Sequence, residues 1–360
     1  MTLFLDTNAH LSLNAKALAA FVNFNNSAGG HGHAMTPSLP GRSAAAELEK
    51  ARETIARLIG AKNSKQIVFT TSCTQACEWG LEILNSRKFS KVYCSTVEHP
   101  AVSFKASELF GNNDLFVDKD GTIACGFSPA ETNSALICIH VQNELGTLQP
   151  IETIKVPFFC DMSQSLGKIP VNVSKIPNLK IATFGGHKFG GPVNFGFMYL
   201  QDPSWWKEFG SGSRYYIDRP GTPDVGLAVA GAVALEDALK TLSVRYQKAL
   251  EFKKVLESNL PSHITIMGKN GTRIPHVSYL CIGDRMGSFV VNQLSNEGIY
   301  VGLGAACGSL TSKSSPLMRA IGHSGRSDAY IRISNWGYYG GVEAQRVVKV
   351  LKKYCTSTKS

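Results

Sequence analysis

The sequence lacks the features of a membrane or secreted protein. No apolar run approaches the roughly 20 residues of a membrane-spanning helix. The opening segment, MTLFLDTNAH, has no basic region, long apolar stretch or cleavage site, so a secretory signal is not expected. The nine cysteines include no Cys-x-x-Cys pair, and such an odd, irregular set is typical of reduced thiols, most of them in the core. We therefore expect a cytoplasmic location, no membrane partner and no metal site.

Concentrated positive charge is also missing, although the chain is basic. It has 37 Lys and Arg against 27 Asp and Glu, a net charge of +10, but no basic run exceeds two residues. Scattered charge of this kind attracts polyanions and acidic partners, and it is typical of a solvated surface. Nucleic-acid binding stays an alternative that only the net charge prompts, and no direct nucleic-acid contact is expected.

What is present is an alternation of short apolar runs and helical patterns. A chain of 360 residues with 43% hydrophobic content can bury a large core. Residues 42–60 have apolar residues at helical spacing, and the apolar runs that follow predict a mostly parallel sheet covered on both faces. The six runs are QIVFT (66–70), KVYCS (91–95), SALICIHV (134–141), PFFCD (157–161), KIATF (180–184) and FGFMYL (195–200).

The pattern changes in the last third of the chain. A long helical pattern over 224–258 is followed by shorter strand-like runs, a helix near 286–297 and a closing helix. This indicates a smaller α+β domain, with which the first dozen residues would pack. The expected division is 15–235 for the large domain, and 1–14 with 236–360 for the small one.

Two neighbouring runs end in polar residues suited to a pyridine-ring cofactor. Asp161 closes one run, Gln164 follows three residues later, and Lys188 comes after the next run inside GGHKFGG. Ligands of parallel sheets sit beyond the carboxyl ends of the strands. Asp161 could pair with a protonated pyridine nitrogen, Gln164 could donate to a ring hydroxyl, and a partly desolvated Lys188 could bond covalently to the cofactor. The alternative is a buried helix-capping Asp and a loop lysine.

A phosphate-bearing cofactor such as pyridoxal 5′-phosphate (PLP) also needs an anion site. The segment TTSCTQAC (70–77) places hydroxyls and backbone amides where a strand turns into a helix. On its own, this segment could equally be an ordinary helix cap. The candidate phosphate ligands are Thr74, Gln75, His187, Thr183 and Thr222.

Taken in order along nearly the whole chain, the motifs resemble those of the cysteine desulfurases, PLP-dependent enzymes of fold type I in the class V aminotransferase superfamily. The resemblance implies an α/β fold, with a mostly parallel seven-stranded sheet in the large domain and a smaller α+β domain. The matching segments are LDTNA (5–9), FTTSC (69–73), VEHPAV (97–102), HVQNELGTLQPI (140–151), DMSQSLGK (161–168), GGHKFGGP (185–192), RPGTPD (219–224), GAACGSLTSKSSPLMRAIG (304–322) and IRISNWG (331–337).

The resemblance also implies roles for individual residues. Lys188 would be the Schiff-base lysine, Asp161 the partner of the ring nitrogen and Gln164 a contact of the ring hydroxyl. His99 would stack on the ring and assist proton transfer. The residues that would orient the substrate carboxylate are Asn143 and Arg332.

A cysteine in a small, Gly/Ser-rich stretch would be the sulfur acceptor. Cys307 lies in VGLGAACGSLTSKSS, and ten residues separate it from MRAIG, which resembles the long-loop subgroup of the family. Lys313 nearby would favour the thiolate form of this cysteine.

Several positions depart from the family pattern. Val193 stands where the family has a lysine, the early segment NNSAGGHGHAMTPSLPGR (25–42) is remodelled, and two departures concern the phosphate site. Cys73-Thr74-Gln75 stands in the phosphate turn where the family usually has Gly-Ala-Thr or Gly-Thr-Thr, and Gly185 stands where it usually has a phosphate-binding serine. Both changes concern the grip on the cofactor more than the type of reaction.

Together these features predict a homodimeric PLP enzyme that converts L-cysteine to L-alanine. A persulfide formed on Cys307 would pass to a sulfur-acceptor protein, either an iron–sulfur scaffold or a sulfurtransferase. Another PLP reaction on the same scaffold, such as that of a selenocysteine lyase, β-elimination or transamination, stays open. A non-catalytic sulfur-relay scaffold is a further alternative, which the altered phosphate turn prompts.

Overall fold

The computed structural model describes residues 1–209, 222–283, 285–304, 316–323 and 329–355. Within these ranges the chain forms one large sheet covered by helices and a second group of shorter strands. The strands are β1 (Leu3–Leu5), β2 (Ile67–Thr70), β3 (Lys91–Ser95), β4 (Asp114–Leu115), β5 (Ser134–Ile139), β6 (Phe158–Asp161), β7 (Leu179–Gly185), β8 (Gly196–Leu200), β9 (Thr265–Ile266), β10 (Val277–Cys281), β11 (Ile299–Val301) and β12 (Tyr330–Ser334). The helices are α1 (Ala15–Asn25), α2 (Leu39–Ile59), α3 (Cys73–Ser86), α4 (Pro100–Phe110), α5 (Ser204–Phe209), α6 (Val225–Lys240), α7 (Leu242–Ser258), α8 (Gly287–Asn296), α9 (Pro316–Ala320) and α10 (Gly341–Tyr354).

The large sheet has seven strands in the order β2-β8-β7-β6-β5-β3-β4. β8 is antiparallel to both of its neighbours, and all the other neighbouring pairs are parallel. All six predicted runs form strands of this sheet, so the prediction of a mostly parallel seven-stranded sheet is confirmed. The sequence pattern does not predict β4, because a two-residue edge strand is too short to have a period.

Alternate residues of the central strands enter two separate cores. In β5, Leu136 and Cys138 pack on the side of α2 and α6, whereas Ile137 packs on the side of α3 and α4. Ile55 of α2 and Leu81 of α3 are fully buried on their respective sides. Burial on both faces explains why these strands are apolar along almost their whole length.

Capping residues decide where α2 begins and ends. The Ser38 side chain accepts a hydrogen bond from the Gly41 amide, so α2 begins at Leu39, slightly before the predicted start at residue 42. The helix ends at Gly60, whose φ of 73° is a conformation that favours glycine.

The long helical pattern predicted over 224–258 is helical but not continuous. The segment forms two helices, α6 and α7, which meet at Thr241. The Thr241 hydroxyl donates to the Asp237 carbonyl at 2.9 Å, and a bond of this kind bends or ends a helix. Among the helices within the described ranges, none is long and apolar enough to cross a membrane.

The N-terminal strand belongs to the second group of strands. β1 pairs in parallel with β11, while β9, β10 and β12 form an antiparallel sheet. Leu3 and Leu5 are fully buried in a core that α7, α8 and α10 complete. The first residues of the chain therefore pack with its C-terminal part, and the domain boundaries at residues 14 and 235 stay a prediction.

Candidate active site

A cavity of about 250 Å³ lies at the carboxyl ends of the parallel strands. β6 ends there at Asp161, β7 leads there to Lys188, and β2 leads into α3 at the same edge. The predicted residues that line the cavity are Thr74, His99, Asn143, Asp161, Gln164, His187, Lys188 and Arg332. The structure therefore brings together most of the site residues that the sequence predicts. The roles of these residues stay predictions.

Asp161 is the acid of this cavity. Its side chain is buried, and Oδ1 accepts hydrogen bonds from the backbone amide of Ser163 at 2.9 Å and from its hydroxyl at 2.5 Å. Because Ser163 lies in the turn that directly follows β6, the carboxylate is held in position by local structure. A fixed, buried carboxylate is suited to pair with a cationic ring nitrogen.

Lys188 is the amine of the cavity. Its Nζ donates to the carbonyl of Asn8 at 2.6 Å and to that of Ala9 at 2.9 Å. Burial, together with the positive charge of Arg332, lowers the pKa of Lys188 to about 8. A sizeable fraction of this amine is therefore neutral near physiological pH, which is the form that acts as a nucleophile or base.

His99 is both the N-cap of α4 and a wall of the cavity. Its Nδ1 accepts a hydrogen bond from the Ala101 amide at 3.1 Å. Burial lowers the pKa of His99, as does the charge of Lys188, although the Asp161 carboxylate opposes the change. A neutral imidazole whose Nδ1 is an acceptor carries its proton on Nε2, so the cap fixes the tautomer of His99 as a donor at Nε2.

Arg332 of β12 provides a buried cation in the lining of the cavity. Nη2 donates to Asp6 Oδ1 at 2.8 Å, and Nη1 donates to the carbonyl of Asn143 at 3.4 Å. Within the described part of the chain, Arg332 Nε has no hydrogen-bond partner. The Asn143 side chain accepts from Gln142 Nε2 at 3.2 Å and also lines the cavity. This wall is suited to bind a carboxylate.

Three predicted phosphate ligands do not line the cavity. The Gln75 side chain folds back on its own turn, where Oε1 accepts from the amide and hydroxyl of Thr71 at 2.9 and 3.1 Å. Thr183 is fully buried, with its hydroxyl 3.3 Å from the Cys77 sulfur, and Thr222 is exposed. Of the remaining predictions, Cys307 and Lys313 lie outside the described residues.

His187, another predicted phosphate ligand, does line the cavity. Its ring stacks on that of His10, with the ring centroids 6.0 Å apart. Burial and the charge of Lys188 lower the pKa of His187 to about 4, so its imidazole is neutral. A neutral His187 could donate a hydrogen bond to a phosphate but would add no positive charge.

Sequence inspection misses Lys168, a fully buried lysine behind the cavity. Its Nζ donates to Asn8 Oδ1 at 2.6 Å and also hydrogen-bonds Gln164 Oε1. Burial lowers the pKa of Lys168 well below its usual value, and the charge of Lys188 adds to this shift. Because Lys168 Nζ donates to the amide oxygen of Gln164, the other atom of this amide is the donor Nε2. Nε2 donates to the Asn8 carbonyl at 3.1 Å, and Gln164 lines the cavity. The only signal was a lysine four residues after Gln164.

The two departures from the family pattern in the phosphate site, at Cys73 and Gly185, are neighbours in space. A Cβ atom added to Gly185 would lie 3.2 Å from the Cβ of Cys73, which is tight packing. The Cys73 sulfur instead contacts the Ser163 hydroxyl at 2.9 Å. Cys73 thus occupies room that a serine at residue 185 would need.

The residues present fit PLP. An acid, an amine and an imidazole line one cavity, and α3 points its N-terminus at the same space with Thr74 at its wall. The first amides of a helix have no partner within the helix and favour anions. The missing serine hydroxyl reduces the donors for the phosphate without removing the anion site.

Fold and cavity together define the class of this protein. An acid at a strand end, a desolvated lysine and a helix N-terminus meet at the carboxyl edge of a mostly parallel sheet, the arrangement of a fold-type I α/β enzyme. The chain belongs to the aminotransferase class-V family, whose model matches residues 3–343. Enzymes of this family depend on PLP, and the predicted resemblance is confirmed.

Individual relatives agree with this assignment. A cysteine desulfurase of Sinorhizobium fredii is 27% identical over 374 residues, covering 97% of this chain and 95% of the relative. Cysteine desulfurase IscS of Dictyoglomus turgidum is 28% identical over 307 residues, covering 78% of this chain and 76% of the relative. Among solved structures, a NifS-like protein has a TM-score of 0.84 at 24% identity, over 98% of this chain and 99% of its own. This structural likeness confirms the predicted fold class.

Proposed function

We propose that this protein is a cysteine desulfurase, which converts L-cysteine to L-alanine and transfers the sulfur to Cys307. The observation that carries the proposal is that Lys188, Asp161 and Arg332 line one cavity of about 250 Å³, which has room for a small ligand. The names of the relatives in Sinorhizobium fredii and Dictyoglomus turgidum support it.

Five features of the cavity would hold PLP. Asp161 would bind the ring nitrogen, Gln164 Nε2 the ring hydroxyl, and Lys188 the aldehyde carbon. Thr74 and the N-terminus of α3 would bind the phosphate. When bound, PLP supplies an electron sink for the charge that develops on the substrate carbon.

The walls of the cavity would orient the substrate. The guanidinium of Arg332 would bind the carboxylate of L-cysteine, with Asn143 beside it, in the planar pairing that arginine makes with carboxylates. The neutral amine of Lys188 would then take the α-proton at Nζ. His99 would offer the Nε2 proton to the ligand.

Cys307 would take the sulfur. Its thiolate attacks the substrate sulfur, so that an S–S bond forms while the bond between that sulfur and Cβ breaks. The electron pair of the broken bond passes to carbon, which takes up a proton, and alanine leaves. The product on the enzyme is a persulfide, which would pass to an acceptor protein.

We further propose a homodimer with a cytoplasmic location. The exposed Thr222 lies outside the cavity of its own chain, which is consistent with a contact to a cofactor phosphate across a dimer interface. Sedimentation of the purified protein measures the subunit number, and cell fractionation measures the location.

Alanine formation from L-cysteine tests the function. The wild type should form alanine and a protein persulfide, whereas Cys307→Ser should form neither. Cys125→Ser, which changes an exposed cysteine, is the matched control and should keep full activity. Retained sulfide release by Cys307→Ser would overturn the role of Cys307. Faster turnover of selenocysteine or cysteine sulfinate would favour another reaction of the same family.

A further inference from the structure

Two thiols and a carboxylate meet at the floor of the cavity. Cys73 and Cys77 lie one turn apart on α3, with their sulfurs 3.9 Å from each other. Cys73 Sγ is 4.0 Å from Asp161 Oδ1, and ligand atoms of all three residues lie within 4.8 Å of one another. The sequence offered no warning of this cluster, because the cysteines are four residues apart and the acid is far along the chain.

These distances match those of a tetrahedral zinc site. Two zinc–sulfur bonds of about 2.3 Å at a tetrahedral angle place the sulfurs about 3.8 Å apart. One such bond and one zinc–oxygen bond of about 2.1 Å place sulfur and oxygen about 3.6 Å apart. The sulfur–sulfur separation of 3.9 Å and the 4.0 Å between Cys73 Sγ and Asp161 Oδ1 require shifts of a few tenths of an ångström, whereas Cys77 Sγ and the Asp161 oxygen, which lie within 4.8 Å, would have to approach by up to about 1.2 Å.

The cluster is also accessible and suited to a soft cation. Cys73, Cys77 and Asp161 all line the cavity, so an ion has a path to them. Cys73 is the first residue of α3 and is partly buried. The hydrogen bond with Cys73 and burial raise the pKa of Cys77, so a divalent cation would displace the thiol protons as it binds. Sulfur ligands select zinc and similar thiophilic ions over magnesium and calcium.

We propose that Cys73, Cys77 and Asp161 form a binding site for one thiophilic divalent cation, and that this cation and PLP exclude each other. Exclusion follows from Asp161, because a divalent cation and a protonated ring nitrogen placed beside the same carboxylate in one cavity would repel each other. Metal binding itself is independent of the proposed function, whereas the exclusion rests on the proposed PLP site. The cofactor-free chain would therefore bind the cation, and the loaded enzyme would not.

Cadmium is a direct probe, because sulfur-bound Cd²⁺ absorbs in the ultraviolet. The full-length protein, before and after loading with PLP, is titrated with Cd²⁺. The cofactor-free wild type should bind one more equivalent of Cd²⁺ than Cys73→Ser or Cys77→Ser. The wild type should also show an ultraviolet absorption from sulfur-bound Cd²⁺ that both variants lack. Zn²⁺ should displace the cadmium. Loading with PLP should weaken Cd²⁺ binding at this site at least tenfold.

Matched variants separate this site from other thiols. Cys125→Ser changes an exposed cysteine. Cys138→Ala changes a buried cysteine of β5 that pairs with Cys160 of β6. Both variants should still bind the additional equivalent of Cd²⁺. Unaltered thermal melting of Cys73→Ser shows that the variant folds. Equal cadmium binding by the wild type and Cys73→Ser would overturn the site. Equal affinity with and without PLP would overturn the exclusion. Failure of the wild type to form alanine would count against the proposed function alone.

Discussion

The two sides of the cavity differ in how closely they follow the family pattern. On the side of β6 and β7, Asp161 and Lys188 are each held by two hydrogen bonds to neighbouring groups. On the side of α3, Gly185 offers no hydroxyl and Cys73 fills the space beside it. The chain has thus kept the groups that would perform chemistry and changed those that would grip the phosphate. From the difference between the two sides of the cavity, we infer that reaction type and cofactor affinity vary separately on this fold.

Arg332 of β12 is a further group that follows the family pattern, and Arg332→Ala tests it. Removing a charged hydrogen bond to the substrate carboxylate costs about 1.5–3 kcal/mol, so kcat/KM for L-cysteine should fall roughly 10- to 150-fold. Steady-state alanine formation measures this. Arg57→Ala, which changes an exposed arginine of α2, should have no effect, and equal losses in both variants would contradict the role of Arg332.

The changed side can be tested by restoring the family pattern. Gly185→Ser combined with Cys73→Gly adds the hydroxyl and removes the Cβ that would crowd it, so the Kd for PLP should fall about 10- to 100-fold through one charged hydrogen bond. Gly185→Ser alone should gain less, because its Cβ would meet Cys73 at 3.2 Å. Equilibrium dialysis with PLP measures both constants. An unchanged Kd in the double variant would show that the two sides do not differ in the proposed way.

The pH dependence follows from Lys188, whose pKa is lowered to about 8. The neutral amine is the reactive form, so the rate should rise as pH increases through about 8. The neutral fraction grows about tenfold between roughly pH 7 and pH 9. Initial rates of cofactor binding to the cofactor-free protein measure this. A rate that falls over the same interval would contradict the role of the neutral amine.

The smallest expected effect concerns Lys168, which holds the Gln164 amide from behind. Lys168→Met removes this donor, so Gln164 can rotate and PLP affinity should fall about fivefold, or ~1 kcal/mol. Lys253→Met is the matched control, because Lys253 is a buried lysine that donates to the Ile274 carbonyl and does not line the cavity. A loss of affinity that is equal in both variants would indicate general destabilisation.

Much of this molecule could be predicted from the sequence, for identifiable reasons. The central strands are apolar throughout because helices cover both faces, and Asp161 and Lys188 stand out because each follows such a run. The break at Thr241 escaped prediction because one side-chain bond to the backbone ends a helix without altering its apolar period. Lys168 and the cluster of Cys73 with Cys77 escaped because their meaning depends on three-dimensional neighbours.

Lys188 and Asp161 are the groups on which the proposed PLP site and its action on L-cysteine depend. The most direct test is the visible absorption spectrum of the protein loaded with PLP, recorded before and after addition of L-cysteine, for the wild type and Lys188→Ala. Lys180→Ala, a change near the start of β7 and away from the cavity, is the control. We expect a visible band in the wild type and in Lys180→Ala that changes with L-cysteine as alanine forms, and its loss in Lys188→Ala. No PLP band in the wild type, or the same band and alanine formation in Lys188→Ala, would contradict the proposed site.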